Sequence, residues 1–209
     1  PATSMEVVLA CLPIMVIHSL AVSLSSYQLV RKVQLQNLQL EALNRTDALT
    51  GLDSRTYWLL QAGHMLHRRH AKAQAATLML LDVDGFKDIN DRHGHAVGDD
   101  VLREIGGLVR RAAAASGHAG RLGGDEFAVA LPVAAQQAGE VAERLRQDVE
   151  SLRLGNAPAL RVSISIGLAT ADDRDLELRQ WMETADGALY EAKRAGRNRI
   201  AANTSAASP

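Results

Sequence analysis

The chain predicts an α/β domain over residues 46–201, a mixed β-sheet with helices packed on it. Three observations carry the prediction. Helix-spaced and strand-like apolar stretches alternate through this region. The region is long enough for one core, and the chain is 47% apolar, as expected of a globular domain with a hydrophobic extension. Charge is balanced, with 23 Lys and Arg against 24 Asp and Glu, so there is no case for a basic, nucleic-acid-binding face, and that class of function is set aside.

In chain order, residues 1–30 are expected to form a transmembrane helix. No Asp, Glu, Lys or Arg occurs from Val7 to Val30, about 24 residues, enough to cross a hydrocarbon layer of about 30 Å. Pro13 is tolerated in such a helix, and Arg31-Lys32 just after it places the following domain in the cytoplasm, at the inner membrane. His18 and several serines dilute the run, which leaves a buried soluble helix as the other reading. Pro1 stands where an initiator Met would, so the chain is expected to be a piece of a longer membrane protein. Cys11 is the single cysteine, which excludes an internal disulfide. Next, in the linker 31–45, Val33, Gln36, Leu40 and Leu43 continue from Leu29 at spacings of four and three, the seam of a short parallel coiled coil. So short a seam is marginal alone, and a solvated amphipathic linker is the alternative.

A helix is then expected from Ser54 to about Ala73. Its His64, His67 and His70 drift around the helix beside Arg68 and Arg69, an exposed polar face rather than a zinc site. Trp58 and Trp181 are assigned to packing. A buried strand follows at Leu78–Asp82, then a helix after Gly98-Asp99 through Val101, Leu102, Ile105, Leu108 and Val109. A hairpin turns at Gly123-Gly124 into the strand-like run Phe127–Leu131, and a helix covers Ala134 to Leu152. A strand at Leu160–Ala169 sets Val162, Ile164 and Ile166 on one face and Ser163 and Ser165 on the other. The last helix, Leu176–Ala195, stops at Gly196, and the small polar tail over 202–209 is expected to be disordered.

The densest chemistry lies at Arg121-Leu-Gly-Gly-Asp-Glu-Phe127. Taken alone, a Gly-Gly pair between apolar stretches is a hairpin turn. The strand upstream adds a second reading, because it ends in Asp82 and Asp84, which share a strand face. Mg²⁺ takes hard oxygen ligands, commonly one or two carboxylates with phosphate and water completing the shell. Asp82 with an acid from the turn is therefore a minimum set for a metal-dependent phosphate site. Asp84 equally suits a cap on the following segment.

Five segments now stand in order: Asp47-Ala-Leu-Thr-Gly-Leu52 with Arg55; Asp82-Val-Asp-Gly-Phe-Lys87; Asn90-Asp91 with Gly94-His95 and Gly98-Asp99; Arg121 to Phe127; and Ala185 to Lys193 through Gly196-Arg-Asn-Arg199. Together they resemble the GGDEF family of diguanylate cyclases over most of residues 46–201. The resemblance implies a palm-like fold of the nucleotide-cyclase type. It implies that two GTP molecules condense across a homodimer to cyclic di-GMP, each 3′-hydroxyl attacking the other α-phosphorus and expelling pyrophosphate.

Carried over by position, the resemblance implies that Asp82, the Val83 carbonyl, Asp125 and Glu126 hold Mg²⁺ or Mn²⁺, two ions per site. Asp125 is also the family's candidate to accept the 3′-hydroxyl proton, a role that metal binding weakens. Lys87, Lys193 and Arg197 face the phosphates, with Lys87 grouped with Asp125 and Glu126 in catalysis. Asn90, His95, Asp99, Gly123 and Gly124 complete substrate binding. At the Asp99 position a carboxylate accepts from guanine N1–H and the exocyclic amine, whereas the bare N1 of adenine meets it lone pair to lone pair. A silent module that binds GTP or a protein partner is the alternative; the intact Asp82, Asp125, Glu126, Lys87 and Asp99 speak against it. Asp99 also speaks against a different cyclic dinucleotide as product. One departure stands out. Many relatives carry Arg-x-x-Asp before the signature as a product-binding inhibitory site, and the matching window here is Ala114-Ala-Ser-Gly117, so no inhibitory site is expected there. Gly85, larger in some relatives, leaves one wall of the guanine pocket in question.

Overall fold

A computed structural model describes residues 18, 20, 22–32, 45–72, 74–114, 116–171 and 176–204. It divides into two compact units, Pro1–Asn44 and Arg45–Pro209. In the first, helix α1 covers residues 22–32 and exposes Val22, Leu24, Tyr27, Leu29 and Val30. No helix among the described residues is long and apolar enough to cross a membrane. The expected span lies outside the described residues from Val7 to Ile17, and so does the coiled-coil seam from Val33 to Leu43.

The second unit runs β1 (Asp53–Ser54), α2 (Arg55–Lys72), β2 (Thr77–Val83), α3 (Phe86–His93), α4 (His95–Ala113), β3 (His118–Gly123), β4 (Glu126–Leu131), α5 (Ala135–Glu150), β5 (Ile164–Thr170), α6 (Leu178–Arg194) and β6 (Ile200–Thr204). One sheet in the order β1-β3-β4-β2-β5-β6 results. It is mixed, as expected: β2 lies antiparallel between β4 and β5, while β1–β3 and β5–β6 are parallel. The apolar run of β2 is buried on both faces because helices cover both. Met79, Leu81 and Val83 join a core with Ile105, Leu145 and Ile166 under α4 and α5. Leu78 and Leu80 join Trp58, Ala128 and Trp181 under α2 and α6. Both tryptophans are fully buried, and their indole N–H groups donate to the carbonyls of His118 (3.0 Å) and Ala169 (2.8 Å). Packing, as assigned, is their role.

Helix α6 lies very close to β5. A Cβ added at Gly167 would stand 2.2 Å from the Ala185 carbonyl oxygen and 2.3 Å from the Leu189 nitrogen. The absent side chain thus sets how near the end of α6, with Lys193, comes to the sheet.

Several boundaries differ from the sequence reading. Helix α3 was not expected; its eight residues bury only Ile89, too little apolar periodicity to register. Helix α4 begins at His95, before Gly98-Asp99. Strand β5 begins at Ile164, not Leu160. Residues 202–204, expected to be disordered, belong to β6, where parallel main-chain pairing with β5 orders a stretch whose side chains carry no strand signal. Residues 205–209 lie outside the described residues.

Candidate functional site

The signature turn joins β3 to β4, and their register shifts between Arg121 and Gly123. Arg121 fixes the turn. Its Nε and Nη2 donate to the Gly124 carbonyl at 3.1 and 2.7 Å, and its Nη1 reaches Asp47 Oδ1 at 3.2 Å. Asp47 Oδ1 also accepts from the Thr50 backbone N–H (2.9 Å) and hydroxyl (2.7 Å). The first and fourth sequence motifs are therefore one device, a guanidinium tying the entry loop to the turn. Burial works to raise the pKa of Asp47, but the Thr50 hydrogen bonds and the Arg121 charge outweigh it and hold the carboxyl below its ordinary value.

Asp82, the last residue of β2 but one, stands directly opposite Glu126 on β4, so the two side chains share a sheet face. Val83 N–H donates to the Asp125 carbonyl at 3.2 Å, which brings the turn to the strand end. Lys193 Nζ lies 2.8 Å from Asp82 Oδ2. Burial pushes the Asp82 carboxyl above its ordinary pKa against the pull of Lys193, and the charges of Asp125 and Glu126 push it the same way. Negative charge is thus crowded at this point, and the donors are hard oxygens. That chemistry fits a divalent cation whose shell is completed by phosphate and water. Among the described residues no three acids, histidines or cysteines are grouped closely enough to hold a metal by themselves.

Asp84 does not face this cluster as a free acid. Its Oδ2 accepts from the Ser163 hydroxyl (2.7 Å) and the Asn198 backbone N–H (3.0 Å), and its Oδ1 accepts from the Ser165 hydroxyl (2.6 Å). Asp84 thus stands one residue past the end of β2, not on the strand face expected for it, and is a clasp joining that strand end, β5 and the turn after α6. In that turn Gly196 has φ 117°, Arg197 61° and Asn198 46°. A left-handed residue other than glycine costs about 1–2 kcal/mol, so the turn needs such anchors.

The predicted base-reading residues sit on α3 and α4. A Cβ on Gly98 would lie 2.0 Å from Asn90 Oδ1, so glycine is what lets the Asn90 amide rest on the first turn of α4, one residue from Asp99. Asp99 is half exposed and only 4.0 Å from Arg103, whose closer partner is Asp100. Asp100 is also held by Asn156 at 2.7 Å. Of the two adjacent acids, Asp99 is the one left accessible to a ligand. Gly85 caps α3 at φ 66°, a backbone reason for glycine there. Lys87, His95, Gly124 and Arg197 are exposed, and Gly123 is half-buried at the end of β3.

A cavity of about 260 Å³ opens on the α2/α6 face, lined by Arg55, Leu122, Met182 and Asp186 among others; of the predicted site residues only Glu126 borders it. Outside it, Asp82, Val83, the signature turn and Lys193 meet near the end of β2, while Lys87, Asn90, His95 and Asp99 stand on α3 and α4 and Arg197 in the turn after α6. In the window of the absent Arg-x-x-Asp, a Cβ on Gly117 would stand 2.6 Å from the Ala113 carbonyl and 2.9 Å from that of Ala130. This backbone has no room for the aspartate.

The sequence reading missed the Asp47–Arg121 tether and the clasp at Asp84, though all three residues lie in quoted motifs. Arg146, which hydrogen-bonds Asn198, left no signal on the polar face of α5.

Comparison with known proteins shows the family. The family model described as "Diguanylate cyclase, GGDEF domain" matches residues 44–199. The chain is 37% identical over 191 residues to the probable diguanylate cyclase DgcC of Escherichia coli strain K12, covering 90% of this chain and 51% of that protein. It is 35% identical over 170 residues to diguanylate cyclase DgcS of Shewanella oneidensis, covering 81% of this chain and 56% of that protein. It thus spans about half the length of these curated relatives. The solved coiled coil and GGDEF domain of DgcB from Caulobacter crescentus, in complex with c-di-GMP, superposes with a TM-score of 0.74 at 31% identity, covering 88% of this chain and all of that one. With the signature turn, the mixed sheet and a family match over most of its length, the chain belongs to the GGDEF-domain diguanylate cyclase family.

Proposed function

We propose that this chain is the catalytic part of a diguanylate cyclase, condensing two GTP into cyclic di-GMP and two pyrophosphates across a homodimer. The observation that carries this reading is Asp82 at the end of β2, opposite Glu126 and paired with Lys193 beside the signature turn. Asp82, the Val83 carbonyl, Asp125 and Glu126 are the residues that would hold Mg²⁺ or Mn²⁺, two ions per site, and the metal would neutralise charge on the reacting phosphates.

The protein's own groups do the rest. Lys87, Lys193 and Arg197 place positive charge against the triphosphate, and Lys193 exchanges its pairing with Asp82 for one with phosphate. Asp125 is assigned the 3′-hydroxyl proton, a role that its binding of the metal would weaken. Gly123 and Gly124 leave the turn without side chains, so the nucleotide can approach the backbone, while Asn90 and Asp99 select guanine and His95 completes the binding surface at the start of α4. Each domain contributes one GTP, so chemistry requires two copies. With no Arg-x-x-Asp, product is expected to inhibit only weakly, as a competitor at the active site.

The charge-free run Val7–Val30 and the exposed apolar side chains of α1 support anchorage in the inner membrane, with the catalytic domain in the cytoplasm and the 31–45 linker pairing the copies as a coiled coil. The test is incubation of the full chain with GTP and Mg²⁺, followed by chromatography with mass detection. The parent is expected to yield cyclic di-GMP and pyrophosphate. Asp125→Ala should lower the rate by at least about 10³-fold without loss of fold, and turnover near the parent level would remove the site assignment.

A further inference from the structure

The turn that presents Arg197 is built from strained backbone and held from two sides. Arg197 and Asn198 both take left-handed angles, which side-chain-bearing residues keep only when their surroundings impose them. On one side is Asp84, itself fixed by Ser163 and Ser165, receiving the Asn198 backbone N–H at 3.0 Å. On the other side is α5, which engages both ends of the Asn198 amide. Arg146 Nη1 donates to Asn198 Oδ1 at 2.8 Å, and Asn198 Nδ2 donates to Glu150 Oε1 at 2.8 Å.

Arg146 is rigid in turn. Its Nε and Nη2 donate to the two oxygens of Glu143 at 3.0 and 2.8 Å, and its Nη1 also donates to Glu150 at 2.9 Å. Its side chain is 14% exposed. A guanidinium has five N–H donors, and the bonds to Glu143, Glu150 and Asn198 occupy all but one. Two carboxylates already match its charge. Arg146 is therefore poorly suited to bind substrate and well suited to hold another group in place.

We infer that Arg146 is a positioning residue for Arg197, acting through the Asn198 side chain, with Asp84 as the second anchor of the same turn. The inference rests on the reading that Arg197 meets the GTP phosphates. A turn left free to relax its angles would carry Arg197 away from its binding position and require it to be reordered at each turnover.

A double-mutant cycle on the full chain tests this, with kcat/KM for GTP measured for the parent, Arg146→Ala, Arg197→Ala and the double variant. Arg146→Ala should cost about tenfold alone and less than about twofold when Arg197 is already alanine. Without nucleotide, exchange of the Asn198 backbone amide with solvent should accelerate in Arg146→Ala. A general loss of stability would lower activity equally in both backgrounds, and that result would overturn the inference, as would parent-like kinetics for Arg146→Ala while Arg197→Ala is impaired. Parent-like kinetics for Arg197→Ala would instead remove the phosphate reading and this inference with it. If Arg146→Ala does not fold, Asn198→Gly takes its place, since it removes the amide but keeps the left-handed angles accessible, and the same coupling to Arg197 is expected.

Discussion

Neighbouring residues of one type do different work in this domain. Asp99 and Asp100 are adjacent acids on α4, yet Asp100 is bound by Arg103 and Asn156 while Asp99 stays half exposed beside Asn90. Asp82 and Asp84 lie two residues apart where β2 ends, yet Asp84, one residue past the strand, is consumed by two serines and a backbone amide. Spacing in the sequence gives such pairs equal standing, and the separation comes from partners far along the chain. If Asp99 reads guanine as proposed, Asp99→Ser should narrow the preference for GTP over ATP by about 10–100-fold, because a polar partner of guanine is lost and the repulsion toward adenine is lifted. Competition between the two nucleotides measures it; an unchanged preference would place base selection elsewhere.

Elements with a strong period were legible in the sequence. The α2, α5 and α6 helices and the buried β2 strand stand where their apolar spacing put them, because a long amphipathic face allows few alternatives. Helix α3 and strands β1 and β6 were not legible, since their place depends on neighbours: α3 packs on α4, and the two strands add in parallel to edges already formed. Contact between elements also yields predictions. Gly167→Ala should destabilise the domain by about 1–3 kcal/mol or more, because β5 and α6 must part to admit the methyl group; a chemical denaturation midpoint equal to the parent's would show that α6 yields freely. The tether between the entry loop and the signature turn should respond to acid. The pKa of Asp47 is depressed in the folded state, so its contribution is complete above the unfolded value near about pH 4 and is lost as pH falls through the folded value. Asp47→Asn should accordingly be less stable than the parent at neutral pH and lose less on acidification below about pH 4. Parallel stability–pH curves for the two proteins would contradict this.

On the largest scale, the proposed function assigns this domain one half of a reaction. Asp82, Glu126, the signature turn and Lys193 meet at the ends of β2 and β4, and Asn90 and Asp99 stand on the helices that follow β2. Residue types and order, through the family resemblance, make the candidate site readable as a set, because phosphate and metal chemistry demands acids, cations and glycines together. The anchors behind it, Arg121 on Asp47 and Arg146 on Asn198, could not be read, since a hydrogen bond spanning the fold leaves no local pattern. Under the proposed function, one GTP per domain would make the reaction bimolecular in protein until the copies pair. The most direct test is the specific rate of cyclic di-GMP formation as the concentration of the chain is raised at saturating GTP and Mg²⁺. The account predicts product at a specific rate that climbs with concentration and levels off once dimers dominate, whereas saturable GTP binding with no cyclic product at any concentration, even when two copies are forced together, would contradict it.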